Sequence, residues 1–185
     1  MAATVKINRL TGSGAGTGTD ITGINTRANA EDAHSTAGTS NPIRIPASGT
    51  NYSFWVSTRL NVTVTPSGTI NNLRWFTDGA NNFGTGITFK VSPANVGANA
   101  GYRQATGTTG TTGTQLNTTN HTGLTGAPVD GFTYTSGSPL SLTGSLTNPS
   151  TGLFGDIVVY QVEVGTTAAA GATAAETLSW RWDET

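Results

Sequence analysis

The chain has 185 residues and a formal net charge of -1, with 10% of its residues charged, 25 glycines and no cysteine, and about one residue in five is Thr. That inventory excludes a disulfide framework, a zinc-thiolate centre and a thiol nucleophile. With nine Lys and Arg against ten Asp and Glu and no basic tract, it also lacks the electrostatic footprint that nucleic acid or an anionic membrane surface requires.

Its polar surface is made of hydroxyls, amides and bare backbone, which can be buried against a neighbour far more cheaply than charges can. The first residues hold Lys6 and Arg9 where an export leader needs an unbroken apolar run, so no leader is expected. No window approaches 18 apolar residues, so no membrane-spanning helix is expected. Helix periodicity is missing throughout, and Gly, Thr, Ser and Asn, all poor helix formers, dominate.

In chain order, residues 4–10 read as a strand. Residues 11–41 follow as a long polar stretch, a candidate extended arm needing a neighbour to order it. A short strand is expected at 42–45. Residues 52–64 then alternate, with Tyr52, Phe54, Val56, Leu60, Val62 and Val64 on one side and mostly Ser, Arg, Asn and Thr on the other; Trp55 breaks the pattern and is expected to cover a second surface. Strands are also expected at 70–76 and 87–91, the latter ending at Pro93.

Residues 95–130 form the second long polar stretch, expected as a surface loop region or a pair of short hairpins. Weak strands are expected at 132–134 and 140–146. The strongest run is 154–164, with Val158, Tyr160, Val162 and Val164 on one face and Ile157, Val159, Gln161 and Glu163 on the other. It is apolar on both faces in its first half and is the candidate central strand. Residues 176–184 close the chain with Leu178, Trp180 and Trp182 facing one way, Trp180 and Leu178 being expected beside Val158, Tyr160 and Val162. These elements predict an all-β chain: one antiparallel β-sandwich or jelly-roll domain over 1–185 with long polar loops.

Motifs that suggest chemistry each have a plainer reading. Gly12 to Gly18 lacks the Lys-Ser/Thr, the preceding buried strand and the following helix of a phosphate loop, and reads as flexible backbone. His34 and His121 lie far apart in polar loops, with no acidic residues spaced to complete a metal site. Asp78 to Asn82 has the oxygens of a calcium loop, yet the same residues are those that turns select. Trp55, Trp75, Trp180 and Trp182 are expected to fill a core rather than stack on a sugar, with Trp55 the exception to watch. Asn51, Asn61, Asn117 and Asn120 begin glycosylation sequons that abundant Asn and Thr generate by composition. The Thr-rich run 106–114 has a local period of three that does not continue as a solenoid. No catalytic, cofactor or metal residue emerges, and no acid/base pair stands out.

The composition, the run Gly155-Asp156-Ile157-Val158-Val159-Tyr160-Gln161-Val162-Glu163-Val164 and the close Glu176-Thr177-Leu178-Ser179-Trp180-Arg181-Trp182-Asp183-Glu184 together resemble tailed-bacteriophage virion structural proteins of the capsid decoration or cement type. The likeness in sequence covers the last third of the chain and is compositional elsewhere. It implies a non-enzymatic β-sandwich or jelly-roll subunit, made in the host cytoplasm and located in the virion. Its partners would be the major capsid protein or other virion subunits, and it would form a homo-oligomer such as a trimer, without cofactor, nucleic acid or membrane. The alternative is a carbohydrate-binding or adhesin module on a fibre or cell surface, using Trp55 and the polar loops.

Overall fold

The computed structural model describes residues 2–37, 39–96 and 101–185. It is nearly all β, with antiparallel pairing throughout and no α-helix among the described residues, in keeping with an all-β sandwich. The strands are β1 (Thr4–Thr11), β2 (Thr17–Asp20), β3 (Thr50–Tyr52), β4 (Val56–Val64), β5 (Thr69–Phe76), β6 (Ile87–Ala94), β7 (Gly107–Thr108), β8 (Thr112–Gly113), β9 (Val129–Asp130), β10 (Leu140–Ser141), β11 (Leu146–Thr147), β12 (Gly152–Gly165) and β13 (Ser179–Glu184).

A seven-stranded sheet runs β2-β1-β4-β12-β6-β9, with β3 also paired to β12; a four-stranded sheet has β10 and β11 along one side of β5 and β13 along the other.

The alternation of β12 decides the layering. Val158, Tyr160, Val162 and Val164 join the core between the two sheets, together with Leu60 and Val62 of β4, Phe89 and Val91 of β6, and Leu73 and Trp75 of β5. Ile157 and Val159 point the other way, into a second core with Leu10, Ala30, Phe54, Trp55, Tyr102, Ala105 and Leu116. The larger sheet therefore carries the small sheet on one face and irregular polar segments on the other. Burial on both faces explains why β12 is the most continuously apolar stretch of the chain. Leu178 and Trp180 do pack against the inter-sheet core, although only partly buried.

Several strands depart from their sequence patterns for identifiable reasons. The run 52–64 is interrupted, because Ser53 replaces a ladder contact with its side chain: its Oγ accepts from the Val162 amide at 3.0 Å. Released from strand geometry there, the chain sends both Phe54 and Trp55 to the second core. Strand β6 does not end at Pro93 but runs to Ala94. The Pro93 carbonyl accepts from the Thr125 amide, outside the β6–β12 ladder. In an antiparallel strand the missing N–H would point to that same outer side, so the ladder loses nothing. In β5, Ile70 and Leu73 both face inward although three apart, because Asn72 at φ 54° is the extra residue of a bulge.

Residues 42–45 are not a strand, the expected strand 132–134 is replaced by a 3-10 turn over Gly131–Thr133 capped by the Asp130 side chain, with Tyr134 extended after it, and 140–146 is split into β10 and β11. Between those two, Gly144 lies against the β12 bulge at Gly155, where a Cβ would stand 2.4 Å from the Gly155 Cα.

The stretch 11–41, expected as a candidate arm, forms its own short hairpin with β1 and then folds back on its own chain. Ile21, Asn29 and Ala30 are buried, the Phe54 amide donates to the Asn29 carbonyl, and the Ala30 amide to the Asn41 carbonyl. In the stretch 95–130 the described residues carry the β7–β8 hairpin and the β9 strand.

Candidate functional site

The two sheets are unequal in width, and that inequality makes a concavity. Where the small sheet ends, the inner face of the large one is roofed by the irregular segments 21–37, 39–45 and 168–178, leaving a cavity of about 1210 Å³. Its floor is Phe89 and Ile87 of β6, Tyr160, Val162 and Val164 of β12, Thr58 of β4 and Ile7 of β1; Trp75 and Trp180 bound it from the small sheet, and Ile24, Ile43, Ile45 and Ala168 from the roof. Ile24 and Ile45 are 48% and 40% exposed. Trp75 is fully buried, yet its Nε1–H has no partner. Beside the floor, burial pushes the Tyr160 phenol up to about 12, opposed by the nearby Arg9 guanidinium.

Arg9 fastens the roof. It is 1% exposed, and its Nη1 donates to the Arg27 carbonyl at 2.7 Å and to Thr26 Oγ1 at 3.2 Å. Burial lowers its pKa, which Asp32 and Glu31 partly offset at a distance. Thr26 in turn lies 3.1 Å from His34 Nδ1. Burial, and then the Arg9 charge, lower the His34 pKa.

On the opposite face, Gln161 holds the polar layer to β12. Its side chain donates to the Ser53 carbonyl at 2.7 Å and the Thr114 carbonyl at 2.8 Å, and accepts from the Leu116 amide at 2.6 Å. Trp55 is 4% exposed, donates its Nε1–H to the Arg103 carbonyl and meets the His121 ring edge-on at 5.3 Å. His121 is fully buried with both ring nitrogens unpartnered, and burial lowers its pKa to about 4.

The other sequence candidates resolve into local structure. Gly12 to Gly16 form the β1–β2 turn, with Gly12, Gly14 and Gly16 at positive φ, and Gly18 lies in β2 opposite Leu10; Tyr102 donates its hydroxyl to the Gly12 carbonyl. Asp78 to Asn82 is a turn whose side-chain oxygens accept from its own backbone, Asp78 from the Ala80 amide and Asn81 from the Phe83 amide, while Asn82 donates to the Glu176 carboxylate. Among the described residues no three or more His, Cys, Asp or Glu side chains gather to hold a metal. His34 and His121 belong to opposite layers and are not brought together. The run 106–114 is the β7–β8 hairpin, laid so close to β12's neighbour Ser53 that a Cβ on Gly113 would meet the Ser53 carbonyl at 2.2 Å. Trp55 presents no ring face for a sugar.

Sequence reasoning missed the cavity and the Arg9 tether. A buried Arg on an otherwise apolar strand face was the available sign of the tether.

Fold and site together define an antiparallel β-sandwich with an apolar cleft between unequal sheets. No family model matches the chain, and no curated protein or solved structure is significantly similar to it.

Proposed function

We propose that this chain is a non-enzymatic structural subunit that acts through subunit–subunit contact, of the kind that decorates and stabilises a bacteriophage shell as a homo-oligomer. The observation that carries the reading is a charge-poor surface on which the roof of the apolar cleft leaves Ile24 and Ile45 exposed. Among the described residues the surface holds one ion pair, Lys6 to Asp20 at 3.3 Å, and carboxylates such as Glu163, Asp183 and Glu184 are met by hydroxyls, amides and backbone N–H groups rather than by cations. Such a surface can be buried against a neighbour without stranding charge. Contacts that form only in the assembled state stabilise that state by mass action. Trp55, the anchor of the carbohydrate-binding alternative, is buried, so that alternative lacks its platform.

An antibody against the purified chain, applied to virus-like particles from the source culture under the electron microscope, should label the particle shell. Label confined to soluble protein, with bare particles, overturns the reading.

A further inference from the structure

Strand β13 is an edge strand whose hydrogen-bonding phase can be read from its end. Thr185 and Thr69 exchange both backbone bonds, at 3.0 and 3.1 Å, so the N–H and C=O of Thr185 face β5. On the far side of β5, the Leu73 carbonyl accepts from the Leu142 amide, which turns Arg74 toward its β13 partner Arg181. Successive residues of a strand alternate sides. Arg181 and Asp183 therefore face β5, and Trp180, Trp182 and Glu184 direct their backbone groups outward. None of these outward groups has a backbone partner among the described residues. The bulge belongs to β5, so β13 itself stays regular.

An open edge of this kind, without Pro or Lys to blunt it, is a template for another strand. We propose that it pairs with β13 of a second copy, antiparallel, about a twofold axis at Trp182. The occupant follows from charge complementarity. In that register Arg181 of each copy stands opposite Asp183 of the other, both pairs on the exposed outer face, where Arg181 and Asp183 now lie. Arg181 and Asp183 would be non-hydrogen-bonded pairs, the closer of the two antiparallel kinds. Trp182 meets its own symmetry mate, and Trp180 lies opposite Glu184, through outward-facing backbone groups that exchange hydrogen bonds. Asp183 can keep its bond from Asn72 Nδ2 and Arg181 its place over the Phe76 ring. The two small sheets become one sheet continuous across the pair.

This deepens the homo-oligomer part of the proposed function and is tested separately from particle binding. Sedimentation equilibrium over about 1–300 µM should show a monomer–dimer equilibrium. Arg181→Asp, which sets Asp against Asp at both symmetric positions, should weaken it about tenfold or more. The swap R181D/D183R should restore it, while far-ultraviolet circular dichroism stays unchanged in both. In hydrogen exchange, the amides of Trp180, Trp182 and Glu184 should gain protection as concentration rises, whereas those of Arg181 and Asp183 are protected already. A chain that stays monomeric overturns the proposal, as does a dimer indifferent to Arg181→Asp or one whose outward amides exchange unchanged. Shell labelling would still stand in each case, with a different interface.

Discussion

Replacing Gln161 by Ala tests how the polar layer is held to the sheet. The side chain is fully buried and serves three backbone groups at once: the Ser53 and Thr114 carbonyls and the Leu116 amide. Each buried group left without a partner costs about 1–3 kcal/mol. Water entering the vacated space satisfies some of them, so the expected loss is about 3–5 kcal/mol, a large share of a typical domain's stability. Gln161→Glu separates hydrogen bonding from packing, because it preserves volume while replacing the amide donor with an acceptor. As a carboxylate it faces two carbonyls; as an acid it regains one donor. Burial raises the folded-state pKa of such a Glu above its unfolded value of about 4.3. The variant should then be most stable below that value and lose stability as pH rises through the folded-state pKa. Urea unfolding followed by Trp fluorescence at several pH values gives both numbers, and hydrogen exchange at Leu116 reports the layer directly. If Gln161→Ala costs less than about 1 kcal/mol, or Leu116 stays protected in it, the layer is held by something other than Gln161.

Trp180→Ala should cost about 2–3 kcal/mol in the same unfolding assay, below the 3–5 of a fully buried Trp because this ring is only partly covered; a variant melting within a degree or two of the parent would detach β13 from the core. His121 has a folded-state pKa lowered to about 4, so the stability it permits is complete above its unfolded value of about 6.5 and is lost as pH falls through the folded value. His121→Leu should flatten that part of the pH profile, and an unchanged difference between pH 7 and pH 4 contradicts the assignment. Gly144→Ala, at φ 130° with its Cβ against Gly155, should unfold the chain or lower its melting temperature steeply, whereas Gly137→Ala, with open space around it, should be neutral; equal melting of the two refutes the close crossing.

What could be read from the sequence was whatever depends on one strand's own pattern. The two-faced alternation of β12 gave both cores, since Val158, Tyr160 and Val162 on one side and Ile157 and Val159 on the other need no partner to be recognised. Trp55 was legible as covering a second surface, but the break at Ser53 was not, because its cause is a side-chain hydrogen bond to Val162 far along the chain. Ile43 and Ile45 alternate like a strand, yet Arg44 finds only a single backbone bond, to the Thr111 carbonyl. The cleft is a property of how far one sheet extends beyond another, and no local pattern encodes that. The outward phase of β13 likewise depends on which of its residues β5 engages.

Because β12 is the neighbour of β3, β4 and β6 and the common wall of both cores, its late place in the chain sets the timing of folding during synthesis. Until residues 152–165 leave the ribosome, β4 and β6 have no strand between them, and Phe54 and Trp55 lack Ile157 and Val159 to pack on. Most of the polypeptide must therefore wait, held soluble by its hydroxyl-rich composition, and then close around a single late segment. Contacts so distant in sequence form slowly, so refolding in vitro should occupy milliseconds to seconds, and a ribosome-stalled chain ending near residue 150 should remain as protease-sensitive as an unfolded one.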